Sequence, residues 1–327
     1  MKDKVIIGKN NLDSLKEIVS SFQAKRIFLV TGKSSYTASG IKQKVDKLLS
    51  GIEVKRHSDF TANPKFSDIK KILSEFRDFN PDMLIAIGGG SVIDTAKLLS
   101  VFPDDEETCF KIIKGELPVP VRTLPFVAVP TTAGSGSEAT KFAVVYDNFT
   151  KYSVSSDNVL PDIVILDATL TQSLTKKQRL ISAFDAFSQA VESYWALRST
   201  EESRAYSKES IELIISIYDR LIDQPSIEDL EKMLYASFLA GKAINISTTT
   251  APHAASYTLT SKHNIPHGYA VILTLPYFLI LNATAGKDDL NSGIEYAEYS
   301  EIIRELLDIL KAESAEDAAN EISDMVR

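Results

Sequence analysis

The sequence predicts an α/β domain of the Rossmann-like type, built on a parallel sheet, followed by an all-helical (all-α) domain. In the first half, short β-branched segments such as RIFLVTG alternate with segments of helical periodicity. The segment DMLIAIGGG is apolar from Met83 up to its glycines, which is typical of a strand buried on both faces of a sheet. After Leu170 the apolar residues recur at helical spacing, with almost no β-type alternation.

The first half is predicted to contain, in order, the strand RIFLVTG, one helix near Tyr36–Ser50, the strand IEVKRH, a helix near Phe66–Phe76, the strand DMLIAIGGG and the helix SVIDTAKLLSVF. The segments FVAVPTTAGSGSEAT, FAVVYD and DIVILDA extend the strand content to about Ala168. We therefore predict two domains, 1–168 and 169–327. The final segment, AESAEDAANEISDMVR, has no capping glycine, which is consistent with a C-terminal truncation of the helical domain.

Charge and cysteine content limit the expected partners. With 44 acidic against 36 basic side chains and no run of Lys or Arg, the chain is not expected to bind nucleic acid or an anionic membrane. The single cysteine, Cys109, excludes an internal disulfide and a thiolate-rich metal site, and favours a cytoplasmic location. The most apolar stretch, AVILTLPYFLILNATA, is interrupted by Pro276 and is too short for a membrane span. Small molecules are the expected partners.

Three consecutive glycines, Gly88, Gly89 and Gly90, directly follow the buried strand, and Ser91 opens the next helix. Glycine lets the backbone approach an anion closely, and the N-terminus of a helix attracts phosphate. The G-x-G-x-x-G spacing of the usual dinucleotide fingerprint is absent. A phosphate-binding loop and a glycine-rich turn without a ligand are both compatible with this pattern.

A second loop of small and hydroxylic residues, PTTAGSGSEAT at Pro130–Thr140, follows another predicted strand. Its side chains that are able to bond a ribose or a diphosphate are Thr131, Thr132, Ser135 and Ser137. On its own the loop is equally compatible with a surface turn. Two such loops in one sheet favour a nucleotide site, because ligands of open α/β sheets bind at the carboxyl ends of the strands.

Three of the four histidines, His253, His263 and His267, lie within one segment, TAPHAASYTLTSKHNIPHG. Pro266 and Gly268 mark a break in this segment. We therefore predict that His253 and His267 lie on two helices whose ends converge on one point. Imidazole nitrogen is a suitable ligand for Zn²⁺ or Fe²⁺.

An anionic ligand for such a metal is available in SAFDAFSQAVESYW, where Asp185 has apolar neighbours. An unpaired carboxylate in that context would be costly, and a metal would remove the penalty. Spacing alone leaves an alternative open, in which Asp185 caps a helix and the histidines are hydrogen-bonded core or surface residues. His57 and His263 are assigned no role.

Taken in order, the segments GGGSVIDTAK, PTTAGSGSEAT, DAFSQAVESYW and APHAASYTLTSKHNIPHGYAV resemble the iron-activated (group III) alcohol dehydrogenase family. The resemblance covers nearly the whole chain and implies a dehydroquinate synthase-like fold with a catalytic metal in the cleft between the two domains. The implied cofactors are NADPH or NADH and one divalent metal, zinc or iron. The implied reaction is the reduction of a small aldehyde to an alcohol by a homodimer or larger homo-oligomer.

The resemblance also implies roles for individual residues. The implied cofactor contacts are Gly32, Gly88, Gly89, Gly90, Ser91, Asp94, Thr131, Thr132, Ser135 and Lys151. The implied catalytic metal ligands are Asp185, His253 and His267. Where the family pattern D-x-x-x-H has a histidine, this chain has Gln189, on the same helical face as Asp185, which makes Gln189 a further ligand candidate and favours zinc over iron. Tyr257, four residues after His253, is the candidate proton donor.

The sequences of the segments DAFSQAVESYW and APHAASYTLTSKHNIPHG are most similar to the phosphonoacetaldehyde reductase branch of the family. This resemblance implies 2-hydroxyethylphosphonate as the product. Another small alcohol or polyol dehydrogenase of the same family is the alternative. A dehydroquinate synthase-like lyase is a rival class, but it needs a dense set of basic side chains, and the helical half has only scattered ones such as Arg179, Arg198 and Lys262. Two cofactor loops and three possible ligands disfavour a non-catalytic binding module.

The segment LVTGKSSY predicts the cofactor preference. In the family, the residue after VT is often an aspartate that binds the ribose hydroxyls and repels a 2′-phosphate, and here it is Gly32. The neighbouring Lys33, Ser34 and Ser35 supply a cation and hydroxyls. The sequence therefore predicts a preference for NADPH over NADH. The alternative is that Gly32 only allows a tight turn and that both cofactors are accepted.

Overall fold

The computed structural model describes residues 4–61, 64–147, 150–290 and 293–326. Its contacts divide the chain into two compact units. One comprises the residues up to Thr132 together with Ser137–Ser173, and the other comprises Ala133–Gly136 together with the residues from Leu174 onward.

The first unit is built on a parallel sheet. Its strands are β1 (Lys4–Gly8), β2 (Arg26–Thr31), β3 (Glu53–His57), β4 (Met83–Gly88), β5 (Phe126–Pro130), β6 (Phe142–Asp147), β7 (Thr150–Ser155) and β8 (Ile163–Asp167). Six strands pair in parallel in the order β1-β8-β5-β4-β2-β3, while β6 and β7 form an antiparallel hairpin. The predicted parallel sheet is confirmed.

Six α-helices of the described residues accompany this sheet, and the sequence analysis did not predict the first and the last of them. They are α1 (Leu15–Ser21), α2 (Ser34–Ala38), α3 (Ile41–Leu48), α4 (Phe66–Phe79), α5 (Gly90–Val101) and α6 (Glu106–Ile113). The prediction of one helix near Tyr36–Ser50 is wrong, because Gly40 adopts a left-handed φ of 78° and separates α2 from α3.

Both faces of the sheet are buried, and β2 shows how the sequence achieves this. Phe28 and Val30 belong to one core cluster, whereas Ile27 and Leu29 belong to a second one. Successive side chains of a strand point to opposite faces, so an uninterrupted apolar run fills a core on each side. The carboxyl ends of the central strands, where the glycine-rich loops begin, are thereby held on a rigid base.

The second unit is helical, as predicted. Its helices are α7 (Lys176–Trp195), α8 (Glu201–Ile222), α9 (Ile227–Ser247), α10 (Ala251–His263), α11 (His267–Ala283), α12 (Tyr296–Leu310) and α13 (Ala315–Asp324). The helix α7 contacts α8, α9 and α11, and its residues from Ala183 to Trp195 are all buried. Capping boxes at Thr175, Thr200 and Ser226 set the starts of α7, α8 and α9. Among the helices that the structure describes, none combines the length and apolarity needed to cross a membrane.

The short segment Ala133–Gly136 belongs to the helical unit because its glycines permit close backbone contacts there. A Cβ at Gly134 would lie 2.7 Å from the Cα of Ser182, and one at Gly136 would lie 2.6 Å from the Cα of Gly241. Gly136 also has a φ of 58°, which side chains rarely adopt. The predicted second loop, Pro130–Thr140, is therefore divided between the two units.

Candidate metal and cofactor sites

Asp185 of α7, His253 of α10 and His267 of α11 converge in the helical unit. Nε2 of His253 lies 3.5 Å and Nε2 of His267 lies 3.8 Å from Oδ1 of Asp185. One ligand atom from each residue lies within 4.8 Å of the other two. Asp185 and His253 are buried, whereas the side chain of His267 is 36% exposed. One carboxylate and two imidazoles facing one point, with access on one side, can hold a divalent cation.

The predicted break in the helical segment between His253 and His267 is present in the structure. His253 lies in the first turn of α10, where Pro252 is tolerated because the N–H groups of a first turn have no partner within the helix. Asn264 ends α10 in the left-handed conformation, and α11 begins at His267. Two helix starts, rather than one helical face, therefore supply the imidazoles.

Gln189 lies one turn after Asp185 and belongs to the same cluster. Its Nε2 donates to Oδ1 of Asp185 at 3.1 Å and to the carbonyl of Ser135 at 3.4 Å. Its Oε1 is buried without a hydrogen-bond partner. A buried acceptor without a donor is unfavourable, and a cation among these residues would remove that penalty. The donor set thus fits a divalent metal, with Gln189 as a neutral neighbour or ligand.

Glu192, which the sequence analysis missed, orients His253. The fully buried carboxylate accepts a short hydrogen bond from Nδ1 of His253. It also accepts bonds from the backbone N–H of Thr250 at 2.6 Å and from the Thr250 hydroxyl at 3.0 Å. With a metal bound, Glu192 would keep the proton on Nδ1 and leave the lone pair of Nε2, the nitrogen nearer Asp185, for the cation. The available signal was a second acidic residue on the face of α7 that carries Asp185, seven positions later.

The charges of this cluster are mutually compensating. Burial alone would raise the pKa of Asp185, but hydrogen bonding to His253 and the charge of His267 hold it below its usual value. Burial alone would lower the pKa of His253, but Glu192 and Asp185 outweigh that effect and raise it to about 9. Without a metal, a proton on His253 balances the two carboxylates, and a bound cation can take over that role.

Tyr257 and the two remaining histidines have different surroundings. The Tyr257 ring stacks on the His267 ring with centroids 6.4 Å apart, and the residue is 38% exposed. His263 lies in the last turn of α10 and is exposed. His57 belongs to the sheet unit and contacts Glu75 through Nδ1 at 3.1 Å. We call Asp185, His253 and His267 the metal-type cluster, and among the described residues neither His57 nor His263 belongs to it.

In the sheet unit, the predicted glycine-rich loop connects β4 to α5. The strand ends at Gly88 and the helix begins at Gly90. A Cβ at Gly88 would lie 2.4 Å from Cγ2 of Val92, and one at Gly89 would lie 3.1 Å from Oγ1 of Thr132. A side chain at Gly88 would overlap Val92, and one at Gly89 would press on Thr132. Glycines therefore suit this turn, where the backbone and the helix N-terminus can attract an anion.

The hydroxyl-rich loop lies beside the glycine-rich loop. Gly88 and Pro130 are partners in the register of β4 and β5, and the N–H of Thr131 donates to the carbonyl of Gly88 at 3.0 Å. Thr131 and Thr132 are half-buried, as is Ser91 at the start of α5. The two loops therefore follow the carboxyl ends of two neighbouring strands of the sheet. Ser135 belongs to the helical unit instead, where its carbonyl accepts the bond from Gln189.

Two further residues with implied cofactor roles, Asp94 and Lys151, are also part of the sheet unit. The Asp94 carboxylate accepts a short bond from the hydroxyl of Ser137 and a bond from the N–H of Val144 at 3.1 Å. It therefore links α5 to β6 and to the segment before that strand. Lys151 lies on β7, and its charge acts on Asp94.

Gly32 immediately follows β2 at the same edge of the sheet, since Thr31 and Ile87 are partners in the register of β2 and β4. A Cβ at Gly32 would lie 2.7 Å from Oγ of Ser35. Lys33 pairs with Asp59 at 2.7 Å, and both side chains are exposed. The Ser34 side chain lies outside the part of the chain that the structure describes.

Comparison with known families identifies the chain. The iron-containing alcohol dehydrogenase family model matches residues 2–168, and the model of the C-terminal domain of the same family matches residues 180–327. The chain belongs to the iron-containing alcohol dehydrogenase family. This confirms the predicted fold, the dehydrogenase class against the lyase and binding-module alternatives, and a nicotinamide dinucleotide and a divalent metal as the cofactors.

Individual relatives of this alcohol dehydrogenase differ in substrate. It is 31% identical over 285 residues to an NADPH-dependent butanol dehydrogenase of Clostridium saccharobutylicum, covering 85% of this chain and 72% of the relative. It is 29% identical over 306 residues to a sulfoacetaldehyde reductase of Bilophila wadsworthia, covering 92% and 77%.

Solved structures agree with this assignment. A sulfoacetaldehyde reductase of Bifidobacterium kashiwanohense in complex with NAD⁺ matches with a TM-score of 0.81 and 26% identity, covering 99% of this chain and 90% of that one. An iron-containing alcohol dehydrogenase of Thermotoga maritima matches with a TM-score of 0.83 and 29% identity, covering 99% and 86%.

Proposed function

We propose that this alcohol dehydrogenase reduces a small aldehyde with NADPH, assisted by a divalent metal held by Asp185, His253 and His267. The observation that carries the proposal is the convergence of one carboxylate and two imidazoles within 4.8 Å, with one imidazole oriented by a buried glutamate. Glu192 contacts Nδ1 of His253, the ring nitrogen other than the one nearer Asp185. A carboxylate at that nitrogen is the usual partner of a histidine that binds a metal.

When bound, the metal would polarise the substrate carbonyl and the reduced nicotinamide would deliver the hydride. Asp185 and the two imidazoles would hold the metal, and Glu192 would keep the proton of His253 on Nδ1. Gln189 would either remain a neutral neighbour of the metal or coordinate it through Oε1. The loops at Gly88–Ser91 and Thr131–Thr132 would bind the cofactor diphosphate and ribose. Three strong ligands favour zinc over iron.

Tyr257 is the proposed source of the proton that completes the alcohol. Its ring stacks on that of His267, and the residue is 38% exposed. Tyr257→Phe keeps the ring and removes the hydroxyl. We expect it to lower kcat by 10²-fold or more, on the order of the contribution of a general acid, with cofactor affinity unchanged. An unchanged kcat would remove Tyr257 from the mechanism.

The proposed substrate is phosphonoacetaldehyde, reduced to 2-hydroxyethylphosphonate. Two comparisons support an anionic two-carbon aldehyde as the substrate. The similar proteins from Bilophila wadsworthia and Bifidobacterium kashiwanohense are sulfoacetaldehyde reductases. The butanol dehydrogenase relative supports the alternative, a small apolar aldehyde.

A coupled screen tests both the activity and the substrate. The purified enzyme, loaded with Zn²⁺ or Fe²⁺, is given phosphonoacetaldehyde, sulfoacetaldehyde or butanal with NADPH or NADH. We expect the highest kcat/KM with phosphonoacetaldehyde and NADPH. A higher value with butanal would transfer the assignment to the apolar alternative, and no oxidation of either cofactor would contradict the reductase.

We further propose that the enzyme is cytoplasmic and forms a homodimer or a larger homo-oligomer. The single cysteine, Cys109, is buried and supports a reducing compartment. Light scattering of the purified chain tests the oligomeric state, and a monomer at micromolar concentration would contradict this proposal.

A further inference from the structure

Arg56 of β3 is held at the end of the neighbouring strand β2, beside Gly32. Its Nε donates to the hydroxyl of Thr31 at 2.7 Å, and its Nη2 donates to the carbonyl of Gly32 at 3.0 Å. Its guanidinium also lies over the ring of Tyr36, 4.8 Å from the centroid, and Tyr36 is buried. These contacts fix the direction of a long side chain that is otherwise exposed.

The position of Arg56 relates directly to the glycine-rich loop. In the strand order β5-β4-β2-β3, the chain runs outward from β2 to β3 and then returns to β4, so the direction of the connections reverses between β2 and β4. A dinucleotide crosses an open sheet at this reversal, with the diphosphate at one strand end and the adenosine ribose at the next. With the diphosphate at Gly88–Ser91, the ribose would lie over Gly32, because neighbouring strands are about 4.8 Å apart.

The charges around Gly32 favour an anion at that position. Gly32 contributes no carboxylate, and in the described part of the chain Arg56 forms no ion pair with a carboxylate. Of its guanidinium nitrogens, Nη1 takes no part in the hydrogen bonds that hold the side chain. The nearby carboxylate of Asp59 is paired with Lys33. Arginine presents a planar set of donors that matches phosphate geometry.

We propose that Arg56 binds the 2′-phosphate of NADPH and is the residue that sets the cofactor preference. The inference rests on the proposed function, in which NADPH is the hydride donor, and adds a residue that no motif in the sequence marks. Gly32 removes the repulsion of a 2′-phosphate, and Arg56 supplies the attraction. Lys33 adds a second positive charge, partly neutralised by Asp59.

Adenosine 2′,5′-bisphosphate and 5′-AMP differ only in the 2′-phosphate, so their affinities isolate this contact without metal, substrate or turnover. We expect the wild type to bind the bisphosphate more tightly by calorimetry. Arg56→Gln should lower the bisphosphate affinity by about 10- to 100-fold, as expected for hydrogen bonds to a charged group, and leave 5′-AMP affinity unchanged. Arg56→Lys should retain part of the difference, which should shrink as salt is raised.

Arg26 provides a matched control. It lies at the opposite end of β2, stacks on Phe79 at 4.7 Å and pairs with Glu53 at 3.2 Å. Arg26→Gln should change neither affinity. If Arg56→Gln weakens both ligands equally, Arg56 only supports the loop and the proposal is overturned.

Two further outcomes separate this inference from the proposed function. If the wild type prefers the bisphosphate and Arg56→Gln keeps that preference, Arg56 is not the anchor, although the NADPH assignment stands. If the wild type itself does not discriminate and turns over NADH as well as NADPH, both statements fail.

Discussion

Gly268 at the start of α11 packs against the backbone of Ile181 in α7 so closely that a Cβ would lie 1.9 Å from the Ile181 carbonyl oxygen. The same added atom would be 3.2 Å from the backbone nitrogen of Asp185. This close approach brings His267, the residue before Gly268, to within 3.8 Å of the Asp185 carboxylate. The geometry of the metal-type cluster thus depends on a residue that contributes no ligand.

Gly268→Ala is therefore expected to separate α11 from α7. The inserted methyl cannot be accommodated without a backbone shift, and such overpacking costs about 1–3 kcal/mol of unfolding free energy. We expect lower metal content by elemental analysis and a lower urea midpoint. Gly286→Ala is the control, since a Cβ there would meet Asp289 only at an ordinary 3.5 Å. Equal metal content in the two variants would contradict the packing argument.

His253→Ala and His267→Ala should each abolish turnover while cofactor binding remains nearly intact. Each change removes one imidazole of the proposed set, whereas the glycine-rich loop belongs to the other compact unit. Turnover of an aldehyde and calorimetric binding of the cofactor provide the two measurements. His263→Ala serves as the control, because His263 is exposed and outside the cluster. Near-normal activity of either site variant in metal-free protein would exclude the metal mechanism.

Glu192→Gln should weaken metal binding without removing a ligand. An amide cannot hold the proton of His253 on Nδ1 as a carboxylate does, and loss of such a partner typically costs about 10- to 100-fold in metal affinity. Competition with a chromophoric chelator measures the change. The control, Glu305→Gln, alters a glutamate that accepts a bond from the Tyr194 hydroxyl. Unchanged affinity in Glu192→Gln would show that packing alone orients His253.

Gln189→His is expected to tighten metal retention, because an imidazole on the face of α7 that carries Asp185 adds a strong ligand. The dissociation rate of the metal into excess chelator should fall relative to wild type. Gln189→Leu, which has no donor or acceptor, should not slow the release. If histidine and leucine have the same effect, the side chain at position 189 does not face the metal.

Gly32→Asp should shift the kcat/KM ratio toward NADH, since a carboxylate at the end of β2 would bond the ribose hydroxyls and repel a 2′-phosphate. The new Cβ would meet Oγ of Ser35 at 2.7 Å, so Gly32→Ala controls for steric effects. We expect the alanine variant to keep the NADPH preference. A wild type that already favours NADH would refute the argument.

The architecture was predictable because its determinants are local. An uninterrupted apolar strand such as Met83–Gly88, followed by glycines, indicates a buried parallel strand and a turn, and apolar spacing of 3.6 residues indicates the helices after Leu170. The placement of His253 and His267 on two helices also followed from Pro266 and the residues around it. The helix boundary at Gly40 was missed, because a glycine within an apolar pattern does not reveal its φ.

The orientation of His253 by Glu192, the fit of Gly268 against Ile181 and the anchoring of Arg56 at Gly32 were decided by packing. Each joins residues far apart in the chain, and their distance depends on how complete helices and strands dock. Periodicity reports which side of an element is buried, but not which residue of another element meets it. The sequence therefore reveals which residues could bind a metal and a dinucleotide. The residues that orient those side chains are determined only by the packing of the helices and strands.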